Sequence, residues 1–167
     1  KNCEFLTSAD IPGTVSKIGK NVFFGTDDIL KIRGYGNAAA ECAAEAEKSF
    51  EETVRIMVDG NELQPDRPAF IANGFTMVPM RSIFEALGAS VEWDGASQTA
   101  YAKRGDTECS FRIGENILYK NGKEIQLSAP AVLTEGRTLV HVRGIAEAFG
   151  ENVDWNGETG LVTITKN

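Results

Sequence analysis

The sequence predicts an α+β fold that is β-rich, internally duplicated and preceded by a strand–helix extension. Three observations carry this. The chain matches itself without a gap at a constant offset of 62, each copy alternates short apolar strands with Asx-Gly turns and one helical stretch, and residues 1–53 lie outside the match.

The repeat comes first because it organises everything else. Residues 54–104 align with 116–166: Gly60 with Gly122, Glu62 with Glu124, Gln64 with Gln126 and Pro68 with Pro130. The register continues through Gly74/Gly136, Thr76/Thr138, Val78/Val140, Arg81/Arg143, Ile83/Ile145 and Glu85/Glu147. Gly88 falls on Gly150, Val91 on Val153, Trp93 on Trp155 and Gly95 on Gly157.

Within a copy, Arg55 to Leu63 reads as two short strands about Asp59-Gly60, a strong hairpin signal, and Asn121-Gly122 serves the same purpose in the second copy. An apolar strand is then broken at Asn73-Gly74, or at Glu135-Gly136. Met80 to Leu87 places apolar residues at 80, 83, 84 and 87, one face of a helix, and Gly88 stands where a left-handed residue ends it. Ser90 to Gly95 begins another hairpin with Val91 and Trp93 on one side. One short helix on a few strands is too little to close a core, so 54–167 reads as one duplicated domain in which both helices and both tryptophans are buried.

Residues 1–53 predict strands over Gly13–Gly25 and Asp28–Arg33 and a helix over 37–52, where Ala38 to Lys48 has the highest helix propensity in the chain. Asn37 is its cap. Here Gly34-x-Gly36-x-x-Ala39 follows a strand and opens a helix, with Asp59 20 residues beyond Ala39, which is the pattern of a dinucleotide-binding turn. Against this, Asp59 already serves a hairpin turn matched by Asn121, and the chain after residue 53 is committed to the repeat. Nucleotide binding is therefore the remote alternative.

Composition removes several classes. Of 167 residues, 17 are Lys or Arg and 24 Asp or Glu, giving a net charge of −7 and no basic stripe for a phosphate backbone or an anionic membrane. No apolar run reaches the ~18 residues of a bilayer span. The chain opens Lys1-Asn2-Cys3-Glu4 without the charged and apolar regions of a signal peptide, so such a segment is expected to have been removed or never present. A single histidine, His141, leaves no histidine-rich metal site and no Ser/His/Asp or Cys/His set, so no cofactor and no catalytic residue are expected. The three cysteines, Cys3, Cys42 and Cys109, lie too far apart in sequence for a zinc pattern.

The run Pro68 to Asp94, and again Pro130 to Asn156, resembles the copper amine oxidase N-terminal, or stalk, domain family through G-x-T-x-V-P-x-R, then E-A-x-G, then V-x-W. Phe75 departs from the pattern where Arg137 keeps it, and His141 stands where Pro79 keeps it. The resemblance implies a twisted antiparallel sheet packed on short helices. It does not imply amine oxidation, whose copper and quinone chemistry belongs to another domain of those proteins. It also implies export and an extracellular or cell-surface location beside other surface modules. The strand ending Gly34-Tyr35-Gly36 before an Ala-rich helix also resembles a family of bacterial surface lipoproteins, in keeping with that location.

Given an oxidising compartment, three thiols cannot all pair within one chain. Cys42 and Cys109 would pair internally if the N-terminal helix docks there, leaving Cys3 for a neighbouring subunit. Three idle thiols is the other reading. Arg81 with Glu85, and Arg143 with Glu147, are spaced for i,i+4 ion pairs. With Trp93, Trp155, Gly88 and Gly150 they are read as the structural motif of the domain. The expected function is a non-enzymatic surface module whose partners are copies of itself or other surface components. It self-assembles by strand addition and a disulfide. The alternative is a wall-glycan or peptide binder using an aromatic groove between the repeats, which exposed tryptophans would favour.

Overall fold

The computed structural model of the chain describes residues 6–11, 15–19, 22, 23, 26 and 30–167, and shows the β-rich α+β architecture predicted. It divides into two compact units. One comprises the residues up to Val54 with Asn156–Leu161, and the other Arg55–Trp155 with Val162–Asn167.

The first unit contains β1 (Ser8–Ile11), β2 (Lys31–Gly34), α1 (Asn37–Glu45) and the beginning of β3 (Ser49–Val58). β1, β2 and β3 pair in parallel, with Ala9 opposite Ile32 and Ile32 opposite Phe50, so α1 is the crossover between β2 and β3. Leu30, Ile32 and Ala43 form the centre of its core, with Leu6, Ala9, Ile11 and Phe23 packed against it. A Cβ on Gly34 would lie 2.7 Å from that of Ala39 and 2.8 Å from the carbonyl oxygen of Ile11. Gly34 and Ala39 of the nucleotide fingerprint are thus accounted for by close helix–strand packing, and Gly36, at φ 87°, by the left-handed turn that opens α1. Asp59, its supposed ribose carboxylate, accepts hydrogen bonds from the Lys166 backbone N–H at 2.9 Å and forms an ion pair with Lys166 Nζ, also at 2.9 Å.

Two expectations for this region are corrected. The helix ends at Glu45, not residue 52. Glu47 takes a left-handed φ of 53°, the Lys48 N–H donates to the Ala43 carbonyl at 2.9 Å, and the chain turns into β3. Pairing with β2 overrides the helix propensity of Glu51 and Glu52, and Glu51 instead meets Arg33 at 3.3 Å across the ladder. The strands expected over Gly13–Gly25 are also not formed where the chain is described: Val15–Gly19 has no ladder partner and Val22–Phe23 lies in a turn. Residues 12–14, 20, 21, 24 and 25, and the expected strand start at Asp28, fall outside the described residues. β1, which supplies the parallel edge instead, is too short and mixed to be read from sequence.

The second unit continues β3 and adds β4 (Asn61–Glu62), β5 (Ala69–Ala72), β6 (Phe75–Pro79), α2 (Met80–Ala86), β7 (Ser90–Asp94), β8 (Thr99–Arg104) and β9 (Thr107–Arg112). β10 (Ile117–Lys120), β11 (Lys123–Gln126), β12 (Val132–Thr134), β13 (Arg137–His141), α3 (Val142–Ala148), β14 (Asn152–Asn156) and β15 (Leu161–Thr165) follow. All four Asx-Gly or Glu-Gly turns take positive φ at both residues: Asp59-Gly60, Asn73-Gly74, Asn121-Gly122 and Glu135-Gly136. That is the twist-matched type I′ hairpin.

At the centre, β6 pairs antiparallel with β13, with Val78 opposite Val140, Met77 opposite His141 and Pro79 opposite Leu139. Val78 and Val140 are repeat equivalents, so a pseudo-twofold axis passes between them. β5 and β12 flank this pair, each hydrogen-bonded to its own neighbour. A second sheet runs β11-β10-β9-β8-β7. In it the hairpin of the second copy joins, through β9, the β7–β8 hairpin of the first. In exchange, β15 of the second copy pairs with β3 of the first. The copies therefore share one core. Phe84 of α2 stacks on Phe111 at 6.1 Å and meets Phe149 edge-on at 5.7 Å, and the apolar positions 80, 83, 84 and 87 are all buried, as the helical spacing predicted.

The two helices end alike. The Gly88 and Gly150 N–H groups each donate at 2.9 Å, to Glu85 and Glu147 carbonyls, with the glycines at φ 78° and 87°. One side chain joins these ends. Arg104 donates to the Leu87 carbonyl at 2.9 Å and the Phe149 carbonyl at 2.7 Å, and its Nη1 lies 2.5 Å from buried Glu151. A cation at two helix C-termini complements both dipoles.

Arg104→Met should leave the Glu151 carboxylate buried without its cation and lower stability by roughly 3 kcal/mol in urea unfolding. Adding Glu151→Leu should recover most of the loss, and a double variant as unstable as the single one would show that the pair is not the cause. Residues 54–110 alone lack β13 and should give, in dilute solution, neither a near-UV circular dichroism signal nor a cooperative melt.

Candidate functional site

The expectation that both tryptophans are core is corrected. Trp93 and Trp155 are each 41% exposed. β7 ends its sheet and β14 pairs only with β15, so each indole has a covering neighbour on one side. The i,i+4 ion pairs are also unequal. Arg143 lies 3.4 Å from Glu147 and donates to the Val153 carbonyl at 2.8 Å, fixing α3 to β14. Arg81 and Glu85 are exposed on α2, and no ion pair forms between them.

These differences converge on one place. Where α2 of the first copy faces the β12–β13 hairpin of the second, there is a groove of about 530 Å³. Pro79 and Met80 floor it, Trp93 and Leu133 wall it, and Arg81 and Arg137 bring two cations to it. Arg137 is held by Asp66 at 2.8 Å. Its pseudo-symmetric counterpart around His141, Arg143 and Glu147 has only about 130 Å³. The cause is a pair of residues at which the two copies differ. Phe75, equivalent to Arg137, packs edge-on against His141, equivalent to Pro79, with ring centroids 5.0 Å apart. One groove is filled by a ring pair, and the other is left open.

Two sheet edges border the open groove. β12 ends one ladder and β7 ends the other, and among the described residues neither has a second neighbour. Leu133, 57% exposed, stands on the first edge and Trp93 on the second. An unpaired edge with adjacent apolar side chains can take up a further extended strand.

Cys42 and Cys109 are free and buried, so the internal pairing expected from the cysteine count is not formed. Each lies on the inner side of its element, and the two belong to different units. Burial pushes the Cys109 thiol up to about 11 and raises that of Cys42, with Glu45 adding to the latter. Neither is thereby a ready nucleophile for exchange. Cys3 lies outside the described residues. Among those residues no group of three or more His, Cys, Asp or Glu side chains converges to hold a metal, and no helix is long and apolar enough to cross a membrane.

The fold is internally duplicated, with Arg81 and Trp93 exposed at the open groove. The family model for the copper amine oxidase N-terminal domain matches residues 57–164, and the chain belongs to that family. This domain is non-catalytic by itself. The chain is also similar to a primary amine oxidase of Klebsiella aerogenes, 28% identical over 78 residues. The match covers 47% of this chain but only 10% of that enzyme.

Sequence reading recognised Phe75 and His141 as departures, but not that they fill one groove and open another. The signal was present in these two departures from the motif, and only the strand register turns it into a shape.

His141 is buried, its Nδ1 has no hydrogen-bond partner, and burial, followed by the Arg143 charge, holds its pKa below the ordinary 6.5, with Glu147 opposing. The unfolded chain then takes up the proton first as pH falls. Stability from this group is complete above about 6.5 and declines below it until the folded imidazole is also protonated. Wild-type protein should show a lower urea midpoint at pH 5.5 than at 7.5, and His141→Gln should remove most of that difference.

Proposed function

We propose that this protein is a non-catalytic extracellular interaction module that takes up an extended peptide segment in the open groove between its repeats. The observation that carries the reading is the asymmetry of the two grooves: the second is closed by Phe75 on His141, while the first keeps an exposed indole, the Arg81 cation and two unpaired strand edges. Main-chain hydrogen bonds to an edge supply affinity that is independent of sequence, and side chains falling on Trp93 and Leu133 supply preference. Arg81, with no carboxylate bound, suits an acidic side chain or a C-terminal carboxylate.

The segment comes from another surface component or from a second copy of the chain. The second source is favoured by the β12 edge, where Val132 and Leu133 are both exposed. Self-assembly of this kind needs no disulfide through Cys42 or Cys109.

A short peptide of alternating valine and threonine with a free C-terminal carboxylate tests the reading. It should shift backbone amide resonances of β12 or β7 and change Trp93 emission, and Trp93→Ala and Arg81→Gln should each weaken it about tenfold. Unchanged amide signals at both edges would refute strand addition. Sedimentation without peptide separates the sources: concentration-dependent assembly abolished by Leu133→Lys identifies a second copy. Copper-loaded protein should turn over no amine.

A further inference from the structure

The outer face of the β7–β11 sheet carries a second surface, on the side of β7 opposite to Trp93. One cross-strand row runs Glu92 opposite Tyr101, Tyr101 opposite Ser110, Ser110 opposite Tyr119 and Tyr119 opposite Glu124, one residue from each of the five strands. Their neighbours Ala100, Ala102, Cys109, Phe111 and Leu118 point the other way and are buried, so the row faces solvent. Tyr101 and Tyr119 are 46% and 38% exposed and flank a trough of about 580 Å³ floored by Ser110.

The row reads the same from either end: carboxylate, tyrosine, serine, tyrosine, carboxylate. The tyrosines stand two strand spacings apart, roughly 10 Å. The Tyr119 hydroxyl donates to Glu124 at 3.4 Å, and the Glu124 charge raises its pKa, so it remains a neutral phenol. On the same face Lys103 pairs with Glu108 and Arg112 with Glu115, which leaves Glu92 and Glu124 as carboxylates without a cation at the two ends of the row.

We propose that this face binds a glycan chain bearing free amino groups, with sugar rings on the two tyrosines and ammonium groups at Glu92 and Glu124. Charge selects against acidic polymers, because both ends of the row are carboxylates. The aromatic faces attract cations as well as the C–H faces of sugars. A ligand with a flat ring and a cation in every unit can place two rings on the tyrosines and a cation at each terminal carboxylate. Oligolysine has the charge but no flat ring to lie on the two phenols.

Titration calorimetry on the full chain, with a fully deacetylated glucosamine oligomer, its N-acetylated counterpart and oligolysine, tests this. The glucosamine oligomer should bind, more weakly as salt rises. Tyr101→Ala and Tyr119→Ala should each weaken it about tenfold, and Glu92→Gln with Glu124→Gln should remove most of the salt dependence. These side chains are exposed, so unchanged melting temperatures will verify folding. Trp93→Ala should leave this binding intact, which separates its outcome from that of the groove. Equal affinity for the acetylated oligomer, oligolysine binding that ignores the tyrosine substitutions, or no binding of the glucosamine oligomer would each overturn the proposal.

Discussion

The pairing of Val78 with Val140 is the constraint on which the rest of the second unit depends. A strand that pairs with its own repeat equivalent forces antiparallel register, places a pseudo-twofold axis at that point and fixes α2 and α3 symmetrically about it. Neither copy can bury its helix alone. Phe84 from the first needs Phe149 from the second and Phe111 from the connecting strand. The exchange of hairpins follows, because the strand edges left by one copy are nearest to the other.

A symmetric contact made within one chain differs from the same contact in a homodimer: its two halves can change independently. Residues 75 and 79 of one copy and 137 and 141 of the other have done so. Phe75 and His141 bring two rings together and remove space, whereas Arg137 beside Pro79 leaves it open. Arg104 shows the same independence. It joins Leu87, Phe149 and Glu151, while its repeat equivalent Lys166 reaches Asp59 in a hairpin turn. Ile83 and Ile145 remain alike, but the core has diverged too: Phe84 of one copy stands where Ala146 stands in the other, and Leu87 where Phe149 stands, so volume lost on one side is supplied from the other.

Much of this fold was legible from spacing. The self-match, the type I′ turns, the helix at Met80 and the glycines that end both helices are local features, and local chemistry decides them. What failed was decided by partners distant in sequence. Ser49 to Glu52 reads as the end of a helix, yet pairing with Lys31 to Gly34 makes it a strand. Trp93 reads as core because its strand alternates correctly, and it does lie on the inner side. Its exposure comes from the position of β7 at the end of a sheet, which alternation does not encode. The tyrosine row is invisible for a related reason: Tyr101 and Tyr119 become neighbours of Ser110 only once three strands are in register.

The four type I′ turns have a kinetic consequence. Each closes a hairpin from residues three apart, on the microsecond timescale of such local events. The β6–β13 ladder joins residues 62 apart and must wait for a much larger loop to close, since contacts distant in sequence slow folding. Formation of the paired centre, rather than of any hairpin, therefore sets the pace of folding. Until it forms, the chain passes through a stage in which both copies carry finished hairpins and exposed helix faces. In that interval the correct partner of each copy has one advantage over any other chain in solution, the tether that connects them.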